Sequence, residues 1–125
     1  MPIMCDDGTM DGTAYQKWND LFLEGCKKVG KDPSLTGNYK RWVVDAGFDE
    51  VVEQVFKWPI NTWPKDNRLK ELGKWNMINM LDGLEGFTAR LFNKVLGMSM
   101  DEVQILLADV RKDLQNRKIH SYWRM

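Results

Sequence analysis

Cysteine and histidine are scarce in this chain, which holds two cysteines, Cys5 and Cys26, and one histidine, His120. Two cysteines are too few for a disulfide framework, so a reduced, intracellular setting, cytoplasmic or nuclear, is expected. With one histidine and no C-x-x-C pair, a zinc site is not expected. Any Ser-His-Asp or Cys-His centre has to rest on His120 alone, and a structural or surface role outweighs that one. Net charge is also missing, with 18 basic residues balancing 18 acidic ones. No overall field therefore draws the chain to nucleic acid or to an anionic membrane. No apolar run approaches the roughly 18 residues of a membrane span. The opening stretch "MPIMCDDGTM" lacks the basic and apolar regions of a secretory leader. No G-x-G-x-x-G or G-x-x-x-x-G-K-[ST] pattern follows a strand. Gly83 and Gly86 in "DGLEG" have the wrong spacing for a phosphate cradle and read as a hinge or corner between helices. Asp6 and Asp7 in "CDDGT" offer too few oxygens for a hard cation and read as a turn or helix lead-in.

What is present suits one soluble globular domain. At 125 residues, with 43% hydrophobic and 29% charged residues, the chain can bury a real core. Asp11 or Thr13 caps a helix over 13–29, with Trp18, Leu21, Phe22, Cys26 and Val29 on one side. A shorter helix over 37–46 carries Tyr39, Trp42, Val43 and Ala46 and stops at Gly47. Asp66 caps a helix over 66–82 whose stripe is Leu69, Leu72, Asn76, Met80 and Leu84. Trp75, Met77, Ile78 and Leu81 make it apolar on other sides, so it is expected to be largely enclosed. Helices over 87–96 and 99–116 follow, the second opened by a Ser99/Glu102 capping box.

The segment "FDEVVEQVFKW" alone has strand character, placing a strand over 49–57. An unaccompanied strand leaves backbone groups unpaired. Either a second strand hides in the short ends, or the chain is a piece of a larger sheet protein. No repeat or composition shift divides it.

The tryptophans are the strongest oddity. Trp18, Trp42 and Trp75 read as core packing. Trp58 and Trp63 lie in "VFKWPINTWPKDNRLKELGKW", where each precedes a proline and is held out of helix. For those two, pocket wall and packing stand equally open, and both are expected to lie against the helix carrying Leu72, Asn76 and Met80, since so short a connection folds back locally.

The succession "DDGT", "AGF", "VFKWPINTWPKDNRLKELGKW", "GLEGFTARLF", "VLGMSMDEVQILLADVRKDL" and "IHSYW" resembles the C-terminal half of fungal class I S-adenosylmethionine-dependent methyltransferases, the Rossmann-like group that includes secondary-metabolism regulators. The resemblance runs from Asp6 to Trp123. It implies that "FDEVVEQVFKW" joins the far side of a seven-stranded sheet, and that the Trp-Pro connection leads into helices near the acceptor substrate. Trp58, Trp63, Asn76 and Met80 are then the substrate-pocket residues. The family's glycine-rich cofactor loop and first strands would lie before Met1, and the family runs on past Met125.

The fold expected is therefore mostly α with one or two strands, an incomplete C-terminal part of a Rossmann-like α/β methyltransferase fold. Residues 1–125 would form one partial domain on the acceptor side. S-adenosylmethionine enters by resemblance only and is not expected to bind this chain alone, which leaves no catalytic, cofactor or metal residue to assign. The alternative is a non-enzymatic helical protein that binds a protein partner, or itself, through uncovered apolar surface. Neither nucleic acid nor membrane is an expected partner.

Overall fold

The computed structural model describes residues 2–125. Helix α1, Ala14–Lys28, starts where the Thr13 hydroxyl accepts from Gln16 N at 3.1 Å while donating to Met10 O at 2.6 Å. Thr13, not Asp11, is thus the cap. The helix buries Tyr15 and Trp18, and the Trp18 indole stacks on both Tyr15 and Phe22. Its Nε1–H donates to Thr88 Oγ1 at 2.8 Å, which satisfies the one polar atom of an otherwise apolar side chain.

A 3-10 turn over Pro33–Asn38 leads into helix α2, Tyr39–Asp45. Neither contains a buried residue, and Trp42 is 43% exposed beside an exposed Tyr39. The expected burial of Trp42 fails because α2 packs on the 3-10 turn and makes no substantial contact with the other helices.

Helix α3 spans Asn67–Arg90, longer than its expected 66–82. The glycines of "DGLEG" do not break it. Asn76, Met80, Leu84 and Thr88 recur at four-residue spacing as buried positions, so packing carries the helix through Gly83 and Gly86. No separate helix begins at 87: the chain passes directly into one π-helical turn, Leu91–Val95, with Phe92 buried. Nor is α3 enclosed. Trp75 is 62% exposed, and Leu69 and Phe87 also face solvent, because the neighbours of α3 cover only the Gly73–Thr88 stripe.

Helix α4, Met100–Gln115, follows the expected capping box, with Ser99 and Glu102 each bonding the other's backbone N–H. Its buried side is Val103, Leu106, Leu107, Val110 and Leu114, packed against α1 and α3. Ser99→Ala is expected to cost about 1 kcal/mol of unfolding free energy, measured by urea titration.

Three strands form one antiparallel sheet in the order β1-β3-β2: Ile3–Cys5, Ser121–Arg124 and Lys57–Pro59. The expectation of one or two strands, with one over 49–57, is corrected in two ways. The ends of the chain supply two further strands, and β2 begins only at Lys57. The β-formers Val51, Val52 and Val55 are not in a strand, and Val52 is 89% exposed. A strand needs a partner as well as propensity. The register runs from Pro59↔Tyr122 to Lys57↔Arg124, and two backbone bonds between Phe56 and Met125 extend it by one step. Among the described residues, no backbone bond from Val51–Val55 reaches β3.

Candidate functional site

β1 and β2 both run antiparallel to β3, so they are parallel to each other and their carboxyl ends open on one edge of the sheet. Ligands of open α/β sheets bind outside such ends. Three pieces of chain meet there: Asp6 to Thr9 after β1, Ile60 to Trp63 after β2, and Ile119 with His120 before β3.

The first piece is a tight turn. Gly8 sits at φ 71°, a left-handed conformation that glycine adopts without strain, and its carbonyl accepts from Asp11 N at 3.0 Å. The Asp7 carboxylate accepts from Thr9 N at 3.1 Å and from the Thr9 hydroxyl at 2.7 Å, a local Asx-type turn. The Cys5 thiol donates to the same Asp7 oxygen at 3.3 Å.

The second piece is anchored through Asn61, a buried amide. Its Nδ2 donates to the carbonyls of Asn116 at 3.0 Å and Ile119 at 3.3 Å, and its Oδ1 accepts from Trp63 N at 2.9 Å. The Trp63 indole N–H reaches Ser121 O at 3.0 Å. Asn76 on α3 donates to Pro59 O at 2.9 Å, so helix, loop and strand end are joined.

These pieces converge on two acidic pairings. His120 Nδ1 lies 2.5 Å from Asp7 Oδ2, its backbone N donates to Thr9 Oγ1 at 2.9 Å, and its ring sits 5.1 Å from that of Trp63. Asp6 accepts from Lys57 Nζ at 2.6 Å and from the Tyr122 hydroxyl at 2.7 Å, and the Lys57 ammonium lies 4.5 Å from the Tyr122 ring centre.

The hydrogen bond from His120, followed by those from Thr9, holds the Asp7 carboxyl far below its ordinary range. The Lys57 hydrogen bond, then that of Tyr122, lowers Asp6, and the Asp6 bond in turn raises Lys57. A carboxyl depressed in the folded state stabilises the fold above its unfolded value, 3.8 for Asp7, and this stabilisation is lost as pH falls from there toward the folded value. Thermal melts are therefore expected to hold steady from neutrality to about pH 5 and to drop on further acidification. The drop should be shallower in Asp7→Asn, and identical slopes would mean that the pairing carries no stability.

The pocket residues expected from sequence are spread out. Trp63 stands beside His120, whereas Trp58 lies opposite Trp123 in the sheet register. Asn76 is buried under Pro59, and Met80 belongs to the core. The residues of the Trp-Pro connection that meet α3 are Pro59 and Asn61, whereas the contacts of Trp63 are with Asn61, His120 and Ser121. Two shallow surface depressions, of about 420 and 290 Å³, are lined by none of the four. Asp6, Asp7 and His120, each given a bland reading from sequence, are the residues the fold brings together. Their separation, 113 residues between Asp7 and His120, left no local pattern to find. The sole signal was that "DDGT" and "IHSYW" both belong to the resemblance.

The cofactor that the resemblance implies is not matched by the residues present. Of the two strand-to-helix loops among the described residues, the one after β2 contains no glycine and one proline, Pro64. The one after β1 presents Asp6 and Asp7, whose charges oppose the cofactor's own carboxylate. No group of three or more metal-ligating side chains occurs among the described residues, and no described helix is long and apolar enough to cross a membrane.

No protein-family profile and no solved structure matches the chain significantly. Curated sequences do. The Emericella nidulans protein named Probable methyltransferase tdiE is 36% identical over 123 residues, covering 98% of this chain and 39% of its own length. Methyltransferase pytC of Aspergillus terreus is 36% identical over 117 residues, 93% of this chain and 36% of the relative. Protein-methionine methyltransferase laeA of Emericella nidulans is 27% identical over 119 residues, 94% of this chain and 32% of the relative. The chain, which spans about two fifths or less of these relatives, is a homologue of fungal methyltransferases and their secondary-metabolism regulators.

Proposed function

We propose that this chain forms the acceptor-side, C-terminal part of a Rossmann-like, S-adenosylmethionine-dependent methyltransferase domain, and that alone it does not transfer a methyl group. The observation that carries this reading is coverage: nearly all of the chain matches about two fifths of tdiE. An unaccompanied strand no longer argues for it, since three strands pair within the chain. The sheet order fits nonetheless. β2 lies at the far edge, and further strands of a larger sheet would add beside β1, the opposite edge.

In this reading Trp58 and Trp63 wall the acceptor pocket, and Asn76 and Met80 support it from α3. Aromatic walls exclude water, and methyl transfer is chiefly a matter of positioning and desolvation. Isothermal titration with S-adenosylmethionine is expected to show no micromolar binding by the chain alone, and such binding would overturn the assignment. A chimera carrying this chain in place of the matching part of pytC is expected to bind the cofactor. A folded chimera that does not would count equally against it.

A second reading rests on a separate observation. Tyr39, Trp42, Val43, Val44, Phe48, Val55 and Phe56 all stand exposed on the excursion between α1 and β2. Apolar surface of this kind suits a protein that binds a partner, or itself, without catalysis. Light scattering after size exclusion separates the two: a clean monomer that binds no hydrophobic dye argues against the partner reading.

A further inference from the structure

We infer that Asp7 and His120 form a proton-accepting dyad at the carboxyl edge of the sheet, and that the acceptor docking there against Trp63 is a flat, neutral molecule bearing a hydroxyl or amine hydrogen. This inference rests on the acceptor-side reading above and adds the chemical class of the acceptor.

The geometry supplies the argument. An ionised carboxylate only accepts hydrogen bonds, so at 2.5 Å from Asp7 Oδ2 it is His120 Nδ1 that carries the hydrogen. In a neutral imidazole the other nitrogen then holds a free lone pair. That atom, Nε2, makes no hydrogen bond among the described residues, and the side chain is 39% exposed. The ring cannot turn freely, because Thr9 Oγ1 bonds both Asp7 and the His120 backbone, and the Trp63 ring flanks it. Trp63 is itself held by its indole bond to Ser121 O. A base oriented by a carboxylate and left open on its far nitrogen is the arrangement general-base chemistry needs.

The proton balance is simple. As the acceptor's O–H or N–H bond breaks, an Nε2–H bond forms, and the electron pair stays on the acceptor atom as the nucleophile. The resulting imidazolium is neutralised by Asp7, so Asp7 is a positioning residue and His120 the group that touches substrate. The same site disfavours other acceptors. A carboxylate would meet Asp6 and Asp7, both held ionised, with Lys57 already committed to Asp6. A thioether has no hydrogen to give up. Trp63, a broad apolar face at the wall of the site, suits a planar partner.

The test uses the chain as it exists, with nitrogen-15 NMR of the imidazole and phenol, anisole, benzoate and methionine amide as probes. In the free protein the neutral ring is expected to carry its hydrogen on Nδ1, and Asp7→Asn is expected to release that preference. Phenol should move the Nε2 and Trp63 indole signals and bind at least about fivefold tighter than anisole, which lacks the donor. Benzoate and methionine amide should leave Nε2 unmoved. His120→Phe keeps an aromatic ring beside Trp63 and should abolish the preference for phenol, which covers the case in which Asp7→Asn fails to fold. A hydrogen on Nε2 in the neutral ring overturns the inference. So does equal binding of phenol and anisole, or an Nε2 signal that phenol does not shift at tens of millimolar. None of these outcomes bears on cofactor binding, so this inference and the acceptor-side reading fail separately.

Discussion

Gly73→Ala is expected to lower the unfolding free energy by about 3 kcal/mol, read from the urea midpoint at constant slope. Helix propensity alone predicts the opposite sign, since alanine is favoured over glycine inside a helix by about 1 kcal/mol. The close approach of α3 to the end of β2 decides against propensity. A Cβ on Gly73 would run into the backbone carbonyl of Asn61 and press within 3.2 Å of the Pro59 side chain. A carbonyl fixed in a turn cannot swing aside as the tip of a long side chain can, so either α3 or the Trp-Pro connection must move. Gly86, on the same helix, provides the contrast: a Cβ there meets nothing within 4 Å. Gly86→Ala is accordingly expected to stabilise the protein by about 1 kcal/mol. If both substitutions stabilised it, the packing of α3 on the β2 end would have to be looser than described.

Asn61→Ala is expected to cost a similar amount, about 3 kcal/mol, because one small residue satisfies three backbone groups in a buried place. Its amide serves the carbonyls of Asn116 and Ile119, and its oxygen serves the N–H of Trp63. Truncation orphans Ile119 O and Trp63 N, while Asn116 O keeps its bond from Ile119 N. The loss should be local as well as global, since Ile119 directly precedes His120 and Trp63 flanks it. Faster amide exchange at Trp63 and His120 than at Val110, in the core of α4, is the accompanying sign. Uniform acceleration across the chain would mean that Asn61 stabilises the fold without ordering the site.

Helices were legible in the sequence where a side-chain cap and an apolar period coincided. Ser99 with Glu102 and the Val103–Leu114 stripe marked α4 at both levels, and Thr13 with Trp18 did so for α1. The end of α3 is hidden at the sequence level because Gly83 and Gly86 read as a stop. The Met80, Leu84, Thr88 recurrence, which packing enforces, outweighed two unfavourable residues. The strands were the least legible part. Segments of three or four residues hold too little alternation to register, and of the β-rich run over Val51–Phe56 only Phe56 finds a backbone partner in the sheet. The Asp7–His120 pairing was illegible for a related reason: neither residue has a local signature, and their meeting depends on which strands are neighbours.

The central position of β3 also fixes when this sheet can exist during synthesis. β1 and β2 touch only β3, never each other, and β3 lies at Ser121–Arg124, the last of the three to leave the ribosome. Until those residues clear the exit tunnel, the nascent chain holds its helical segments beside two strands with nothing to bridge them. The Asp7–His120 edge is then still in two halves, one made 113 residues before the other. A ribosome stalled with residues 117–125 inside the tunnel should display a helical, protease-sensitive intermediate, and a stall on a linker fused after residue 125, long enough to bring β3 out, should display the resistant form.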